Sequence, residues 1–489
     1  MSSRLQNAIR IQGALLLVLS ASMLPPLILA VAYHEKSSVG AFTAVSALCL
    51  LCGLFIRQFF RPSHEKMKVR DGFLVVSISW LLCSIIGAMP FCLSGAIPSA
   101  ADAFFESCSG FSTTGSSVLT DVEVLPKSVL FWRSFTHWLG GMGIVVFVMA
   151  LLPVLGISGQ IAANAETPGP TKDKLTAHFS DTARNLYLLY LLFTLAEVLL
   201  LKFGGMSFLD AFIHSFGTIG TGGLSNYNDS VGHFDSPYIQ IVILLFMILA
   251  GTNFNLLYMA KKRGMDVLLH DEETRFYLAV IGIATLLVFA ANQIFSHFQQ
   301  PLRSLLDSAF QVVSIITTTG YATADYDVWP TFSKMVILCL FFFGGSSSST
   351  SGGIKCVRVL VCLKLIRRSF SLRLHPNRIV PITLNDAELP TDVIIKITNF
   401  VLTYIVVIFV GTLLLSVDNL DFISSFSAAA TCVGNIGPGF NLLGPTCNFS
   451  ILSDFSTVVC AFLMLAGRLE LITVFALFSK YYWNPNKTK

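Results

Sequence analysis

The sequence predicts an all-α protein that crosses a membrane many times and contains four similar hairpins. Three observations support this fold class. First, 54% of the 489 residues are hydrophobic and only 12% are charged, whereas soluble proteins carry roughly 25% charged residues. Second, apolar runs long enough for a bilayer, about 20 residues of helix, recur from residue 11 to residue 482. Third, four short segments with a shared pattern of Asp, Thr and Gly lie between consecutive runs.

The apolar runs predict ten membrane-spanning helices and exclude a soluble enzyme. Solid apolar blocks such as Ile239–Ala250 favour helices, because the strands of a membrane barrel alternate polar and apolar residues. We interpret the first run as a retained helix, since it is longer than the core of a signal peptide, about 7–15 residues. The predicted spans are 11–33, 38–60, 72–97, 128–153, 184–203, 236–260, 276–298, 333–365, 393–417 and 454–482.

Lys and Arg residues set the predicted orientation, because cytoplasmic loops are enriched in them. With the N-terminus inside, and with cations towards the ends of spans assigned to the side they face, 24 of the 32 Lys and Arg residues lie on the cytoplasmic side. Six, among them Arg133, lie outside, and only Lys355 and Arg468 are left within spans. Ten spans then return the C-terminus to the cytoplasm. In this topology all four short segments lie on the outer side.

The four short segments share a spacing. Each contains an Asp followed thirteen residues later by a Gly, and in the first three a Thr stands two residues before the Gly. The spacing alone is weak evidence, because Asp454 and Gly467 in the last span also show it, although with Leu465 in place of the Thr. The segments 102–118, 210–226, 307–323 and 421–439 contain the pairs Asp102 and Gly115, Asp210 and Gly223, Asp307 and Gly320, and Asp421 and Gly434.

This pattern predicts a short helix followed by irregular backbone within the membrane. An Asp side chain caps a helix N-terminus, and the Thr- and Gly-rich residues that follow disfavour helix. Irregular backbone at membrane depth is tolerated where it is buried in protein or lines a water-filled cavity. Four copies around one axis can present carbonyl oxygens that replace the water shell of a cation. The alternative is that the glycines form surface turns.

Two further motifs carry a resemblance to a known family. Residues 138–143 read Trp-Leu-Gly-Gly-Met-Gly, and residues 434–439 read Gly-Asn-Ile-Gly-Pro-Gly. Together with the four segments, they resemble the Trk-type potassium uptake proteins of bacteria, the TrkH/TrkG class, with the KtrB and plant HKT transporters as more distant relatives. The resemblance covers essentially the whole chain. It implies four membrane–pore-loop–membrane repeats around one pseudo-fourfold pore, preceded by an N-terminal two-helix hairpin.

The resemblance also implies a division of the chain and a function. Residues 1–70 are expected to form the N-terminal hairpin and a cytoplasmic loop. The implied function is potassium uptake through a gated, channel-like pore. The four pore repeats are expected at 71–160, 161–265, 266–380, which includes a broken helix, and 381–489.

By resemblance, the ends of the four segments form a selectivity filter that binds K⁺. In the fourth segment strict spacing indicates Gly434, whereas the Gly-x-x-Gly pattern of the family indicates Gly437. We favour Gly437, because Asn435 then restores a polar residue two positions before the glycine, and keep Gly434 as the alternative. In plant relatives a Ser at the first filter glycine accompanies sodium preference, so Gly115 implies potassium selectivity. The predicted filter residues are Thr113, Thr114, Gly115, Thr221, Gly222, Gly223, Thr318, Thr319, Gly320, Asn435, Ile436 and Gly437.

A gate is predicted from two anomalies at membrane depth. A Gly- and Ser-rich stretch interrupts the eighth span, which we interpret as a mobile gate; a rigid, buried helix break is the alternative. Arg468 lies midway along the last span, where a charge costs about 2.5–3.5 kcal/mol. It is expected to face the pore or an acidic partner. A structural ion pair, for instance with Glu470, is the alternative, although residues two apart on a helix do not face each other. The resemblance implies that Arg468 obstructs the pore together with the broken helix. The gate residues are Gly344, Gly345, Ser346, Ser347, Ser348, Ser349, Thr350, Ser351, Gly352, Gly353 and Arg468.

Two other functions stand beside the pore. A proton- or sodium-coupled potassium symporter needs a carboxylate on the ion path, for which Glu197 is the candidate. An intramembrane serine protease that uses Ser346–Ser349 is disfavoured, because the cluster does not match G-x-S-x-G and no His is tied to it by spacing. We therefore expect a transporter and not an enzyme.

The resemblance finally implies partners. Trk-type pores form homodimers and sit on a cytosolic ring of TrkA-like nucleotide-binding regulatory subunits. The sequence contains no G-x-G-x-x-G motif or P-loop, so nucleotide control requires such a subunit. We expect K⁺ as the transported ion, no bound organic cofactor and no nucleic-acid partner. The expected location is the lipid bilayer of the bacterial inner (plasma) membrane, with both termini cytoplasmic.

Overall fold

The computed structural model describes residues 3–60, 69–154, 179–296, 300–479 and 482. Apart from short 3₁₀ turns, the regular structure within these residues is α-helix and one antiparallel hairpin, β1 (Thr383–Leu384) and β2 (Ala387–Glu388). The α-helices are α1 (Ser3–Ser22), α2 (Leu24–Ala32), α3 (Lys36–Phe59), α4 (Val69–Leu93), α5 (Ala100–Phe111), α6 (Lys127–Val154), α7 (Phe179–Phe203), α8 (Phe208–Ile219), α9 (Pro237–Ala250), α10 (Phe254–Arg263), α11 (Asp266–His270), α12 (Glu272–Ser296), α13 (Pro301–Ile316), α14 (Thr331–Leu340), α15 (Cys356–Leu374), α16 (Thr391–Leu415), α17 (Phe422–Gly434), α18 (Asp454–Arg468) and α19 (Ile472–Phe478).

Four units with the same order of elements follow an N-terminal hairpin. Each unit has a long first helix, a short helix with a buried C-terminal half, and a second helix that returns. The hairpin of α1, α2 and α3 packs against α4 and α6. This order agrees with the predicted fold. The units are α4–α5–α6, α7–α8–α9/α10, α12–α13–α14/α15 and α16–α17–α18/α19.

Six of the described helical segments are long and apolar enough to cross a membrane, and α9 with α10 forms a seventh candidate. The prediction of one continuous span over 236–260 is wrong, because α9 and α10 meet at an angle of 95°. The span predicted over 454–482 is also broken. It is interrupted between Arg468 and Ile472, where Glu470 and Leu471 adopt positive φ values of 58° and 43°. The interruption predicted in the eighth span is present between α14 and α15.

The short helices begin differently from the prediction that an Asp caps each of them. In α5 and α8 the N-cap is Ser99 or Ser207, and Asp102 or Asp210 stands three residues later with its N–H bonded to the Ser hydroxyl. Only α17 begins with the predicted cap, Asp421. In α13 no side chain caps the N-terminus, and a Pro occupies the first helical position instead. A serine or proline start satisfies the same need, because the first N–H groups of a helix lack partners within it.

Some predicted features lie outside the described residues. They include the boundary between the first two repeats at 160–161 and eight of the cations that set the predicted orientation. Those eight cations are Arg61, Lys66, Lys68, Lys172, Lys174, Lys480, Lys487 and Lys489.

Candidate ion-conduction site

The C-termini of α5, α8, α13 and α17 end in four turns with the same backbone hydrogen bonds. In each turn the first N–H donates to the carbonyl three residues before it, at 3.0–3.4 Å, and the second N–H donates to the carbonyl five residues before it, at 2.8–3.0 Å. This pair of bonds is the Schellman helix ending. We number the turns 1 to 4 along the chain, as residues 113–115, 221–223, 318–320 and 435–437.

Two positions of each turn adopt positive φ. Glycines and asparagines enter this region readily, whereas a threonine there is a rare outlier that costs about 1–3 kcal/mol. Such strain persists only where the surrounding structure enforces it. The first residues are Thr113, Thr221, Thr318 and Asn435, with φ of 57°, 54°, 55° and 53°, and the third are Gly115, Gly223, Gly320 and Gly437, with φ of 86°, 73°, 84° and 111°.

These angles decide the register of the fourth segment. Gly437 occupies the position that the third glycine has in the other turns, and Asn435 occupies the position of the threonines. Gly434 is instead the last residue of α17. The alternative register on Gly434 does not fit this backbone. The spacing differs from thirteen because Asp421 is itself the N-cap of α17, whereas Asp102 and Asp210 stand three residues after the N-caps of α5 and α8.

The four turns close into a ring. The third residue of each turn packs against the carbonyl of the middle residue of the next turn, and turn 4 packs against turn 1. A side chain cannot be accommodated at these glycines, because real Cβ atoms stay at least about 3.0 Å from such oxygens. The glycine-to-carbonyl pairs, with the distance from a Cβ built on the glycine, are Gly115 to Gly222 (1.9 Å), Gly223 to Thr319 (2.0 Å), Gly320 to Ile436 (2.3 Å) and Gly437 to Thr114 (2.9 Å).

The ring concentrates negative potential. Four helix C-termini converge on it, and each carries about half a negative charge from the helix dipole. The middle carbonyls lie at the contacts between neighbouring turns, and the threonines are buried. Among the described residues, Thr113 Oγ1 and Asn435 Oδ1 have no hydrogen-bond partner. The site thus offers neutral oxygen atoms rather than carboxylates, which suits a monovalent cation that is bound and then released.

The broken helix lies directly against turns 3 and 4. We call residues 344–353 the intramembrane loop; all of them are buried or half-buried. The Gly352 N–H donates to Thr318 Oγ1 at 2.7 Å. A Cβ built on Gly352 would lie 2.6 Å from the carbonyl oxygen of Gly434, the residue before turn 4. The predicted gate residues are therefore brought together beside the ring.

The break between α9 and α10 holds the intramembrane loop on one side. The Ser346 N–H donates to the Gly251 carbonyl at 2.8 Å, and Thr350 Oγ1 donates to the Ala250 carbonyl at 3.2 Å. In return the Phe254 N–H donates to the Ser348 carbonyl at 3.3 Å. Two broken helices thus satisfy each other's free backbone groups, as irregular backbone in a membrane requires.

Arg468 contacts the intramembrane loop. The guanidinium donates to the Thr350 carbonyl at 2.8 Å and to the Gly140 carbonyl at 3.4 Å. The alternative of an ion pair with Glu470 does not hold, because Glu470 forms its ion pair with Arg358 at 2.5 Å. No acidic side chain of the described residues pairs with Arg468, which is 5% exposed. Its charge is therefore balanced by carbonyl dipoles of the loop and of α6.

Lys355 brings a second cation to the intramembrane loop. Its ammonium donates to the carbonyl and the hydroxyl of Ser351 and to the hydroxyl of Ser349 at 3.3 Å. Lys355 therefore contacts the intramembrane loop through its side chain.

Known proteins identify the family. The sequence model of the TrkH family, described as cation transport protein, matches residues 40–487. The chain belongs to this family. It is 35% identical over 481 residues to the Trk system potassium uptake protein TrkH of Escherichia coli (strain K12), covering 97% of this chain and 98% of the relative. It is 33% identical over 477 residues to the Trk system potassium uptake protein TrkG of the same strain, covering 96% and 97%.

A solved structure supports the same assignment. The crystal structure of the potassium transporter TrkH from Vibrio parahaemolyticus superposes with a TM-score of 0.89 at 33% identity, covering 98% of this chain and 99% of that one. The chain is therefore a polytopic helical membrane protein of the TrkH family. It is a transport protein and not an enzyme, as predicted.

A buried ion pair supports turns 1 and 2 of this TrkH-family chain. Arg133 Nε donates to Glu106 Oε1 at 2.8 Å, and both side chains are almost completely buried. Glu106 also accepts the Ser117 hydroxyl and the Val118 N–H, and Arg133 reaches the Ser225 carbonyl of the next repeat at 3.2 Å. Counting charges places Arg133 among the outer-side cations, but the sequence does not show its partner on α5.

His137 and His214 connect the short helices to the residues that follow them. His137 Nδ1 lies 2.9 Å from the Gly110 carbonyl, and its Nε2 accepts the Leu224 N–H at 3.3 Å. This pattern requires the neutral tautomer with hydrogen on Nδ1. His214 similarly lies between the Asp210 carbonyl and the Ser225 hydroxyl. Both histidines are fully paired supports rather than ligands.

Proposed function

We propose that this chain takes up K⁺ through a gated, channel-like pore. One observation carries the proposal: four Schellman turns, one from each repeat, close into a ring with a glycine at every contact between neighbours. A ring of backbone oxygens from four equivalent segments can replace the hydration shell of K⁺. The printed names of the relatives, potassium uptake proteins of the Trk system, agree with this ion.

The selectivity filter is proposed to consist of the four turns, 113–115, 221–223, 318–320 and 435–437. Gly115 has no side chain in the ring, which leaves the middle carbonyl of turn 2 unobstructed. The four long first helices and the N-terminal hairpin then surround the pore. The proposed repeat boundaries remain 71–160, 161–265, 266–380 and 381–489, after residues 1–70.

The gate is proposed to be the intramembrane loop with Arg468. The loop contacts turns 3 and 4 through Gly352, and the guanidinium of Arg468 holds its Thr350 carbonyl. A cation at this position repels K⁺ while the loop is in place. The hydrogen bonds that the loop forms with Ala250 and Gly251 stabilise this closed arrangement.

The cellular setting is also part of the proposal. The chain is placed in the bacterial inner membrane with both termini cytoplasmic, as a homodimer regulated by a cytosolic TrkA-like nucleotide-binding subunit. The "Trk system" in the relatives' names is compatible with several components. No organic cofactor is proposed in this chain, and K⁺ is the transported ion.

A coupled symporter is the second candidate, and Glu197 is the observation that favours it. This residue of α7 is fully buried, and neither of its carboxylate oxygens has a hydrogen-bond partner among the described residues. An ionised carboxylate in such a place is unfavourable. Glu197 therefore either holds a proton or pairs with a bound cation, and both are states that a symporter could use.

Purified protein in potassium-loaded liposomes distinguishes the two functions. A channel-like pore carries K⁺ current that continues without a proton or sodium gradient and persists in Glu197→Gln. A symporter requires one of those gradients and loses transport in Glu197→Gln. If neither the unmodified protein nor Glu197→Gln selects K⁺ over Na⁺, both the channel-like pore and the potassium symporter are contradicted.

A further inference from the structure

Three consecutive acidic residues, Asp271, Glu272 and Glu273, begin α12 and point to different parts of the molecule. Glu273, which is 4% exposed, reaches the intramembrane loop. Its carboxylate accepts the Ser347 N–H at 2.6 Å, the Ser347 hydroxyl, and the Val357 N–H at 3.1 Å. One carboxylate from outside the loop therefore binds the loop and the start of α15 together.

The start of α15 explains why this carboxylate is needed. The helix begins immediately after the intramembrane loop, and its N-cap residue, Lys355, forms no side-chain cap. The first N–H groups of a helix need acceptors, and an anionic group near them is favoured by the helix dipole. Glu273 supplies this cap from a different helix. Its second oxygen then fixes Ser347, near the middle of the loop.

The other two acidic residues join the same turn of α12 to the hairpin β1–β2. Asn385 Nδ2 donates to Asp271 Oδ1 at 2.8 Å, and the Glu272 N–H donates to Asn385 Oδ1 at 2.8 Å. Lys364 Nζ bridges the Glu272 carboxylate and the Thr383 carbonyl. The hairpin ends in an exposed turn and lies between α15 and α16, on the proposed cytoplasmic side.

We propose that Glu273 is the positioning residue that keeps the intramembrane loop closed, and that displacement of the β1–β2 hairpin releases the loop through the first turn of α12. The inference rests on the proposed gated pore. The three acidic residues are adjacent on one helical turn, so Asn385 on the hairpin and Ser347 in the loop are joined by one short, hydrogen-bonded path. Such a path is physical evidence of coupling only if changes at its two ends affect each other.

The test uses the purified full chain in liposomes, without any other subunit, and measures basal K⁺ flux. Glu273→Gln removes the anionic cap. Asn385→Gly removes the two side-chain hydrogen bonds that Asn385 forms with Asp271 and Glu272, without strain, because Asn385 has φ 47° and glycine adopts such angles freely. Glu388→Gln is the matched control, since Glu388 is an exposed acid of the same hairpin. We expect roughly tenfold higher flux in the first two variants, equivalent to about 1.4 kcal/mol, and no change in the control. In the double variant the increase in flux should be smaller than the sum of the two single increases, because coupled sites are not additive.

Amide hydrogen exchange supplies an independent measurement that does not depend on transport. Faster exchange at the Ser347 and Val357 amides in both Glu273→Gln and Asn385→Gly supports the proposal. Unchanged flux and exchange in both variants overturns it, and an effect confined to Glu273→Gln overturns the role of the hairpin. If no form conducts K⁺ but Asn385→Gly still accelerates exchange in the loop, the proposed pore fails while the coupling stands.

Discussion

Replacing Gly320 by Ser should weaken discrimination between K⁺ and Na⁺. Gly320 has φ 84°, and a Cβ there would lie 2.3 Å from the Ile436 carbonyl oxygen. To lengthen this contact to at least 3.0 Å, turns 3 and 4 must separate by about 0.7 Å. The side chain also costs about 1–2 kcal/mol because of the positive φ. A wider ring fits the smaller Na⁺ no better but holds K⁺ less closely. We expect the K⁺/Na⁺ permeability ratio to fall roughly tenfold, which corresponds to about 1.4 kcal/mol.

The matched control is Gly95→Ser. Gly95 has φ 77°, close to that of Gly320, but nothing lies within 4 Å of a Cβ built on it. Both variants therefore carry the same backbone strain, and only Gly320→Ser displaces a neighbouring turn. Reversal potentials in liposomes give the permeability ratio, and thermal unfolding gives stability. A folded Gly320→Ser protein with unchanged selectivity, or an equal loss in Gly95→Ser, would refute the assignment of the ring as the filter.

Three further predictions concern the gate, the support of the filter and the outer loops. Arg468→Ala should raise basal K⁺ flux, because the Thr350 carbonyl loses its donor, whereas Arg468→Lys keeps the charge and should remain nearly closed; a silent Arg468→Ala removes this residue from the gate. Glu106→Gln should lower the free energy of unfolding by about 3–5 kcal/mol, because it leaves a buried guanidinium without its anion, and a loss below about 1 kcal/mol in thermal unfolding would contradict this. Burial raises the pKa of Asp327, in the loop after turn 3, to about 6, against a smaller opposing effect of the Asn441 N–H. Folding therefore favours the protonated Asp327 carboxyl. The stability gained from it is fully present below about pH 4, near the ordinary Asp pKa, and is lost as the pH rises through about 6. Asp327→Asn should flatten the pH dependence of the melting temperature in that range.

The repeat architecture and the position of the ring follow from local sequence. Apolar runs report burial in lipid, and Thr and Gly report backbone that leaves the helix, so both signals lie in the residues themselves. The fourth turn required more than spacing. Asn435 is the informative residue there, because asparagine tolerates left-handed backbone and so marks the first position of the turn more directly than Gly434 marks the third.

Hydropathy does not predict the helix breaks within the spans at 236–260 and 454–482. The first has a local signal, because the Asn253 side chain caps α10, and contacts from far away in the sequence complete it. The run from Ile239 to Ala250 reads as continuous helix, and the break after it is stabilised by the Ser346 N–H, about a hundred positions away. Likewise, the positive-inside rule counts charges without their partners. It therefore counts Arg133 as an outer-side cation, whereas the structure shows that Arg133 is buried in an ion pair with Glu106.

Threonine is an unfavourable residue at the first position of turns 1, 2 and 3, because a β-branched residue at positive φ costs free energy and glycine does not. In turn 3 the Thr318 hydroxyl indicates what the strain supports. Thr318 Oγ1 accepts the Gly352 N–H of the intramembrane loop at 2.7 Å, so the residue that shapes turn 3 also holds this loop. Asn435 takes the corresponding place in turn 4 and donates to Thr114 Oγ1 at 3.0 Å. A glycine at either position would relax the backbone but remove a contact between the ring and its neighbours, which is the physical reason to expect polar side chains there.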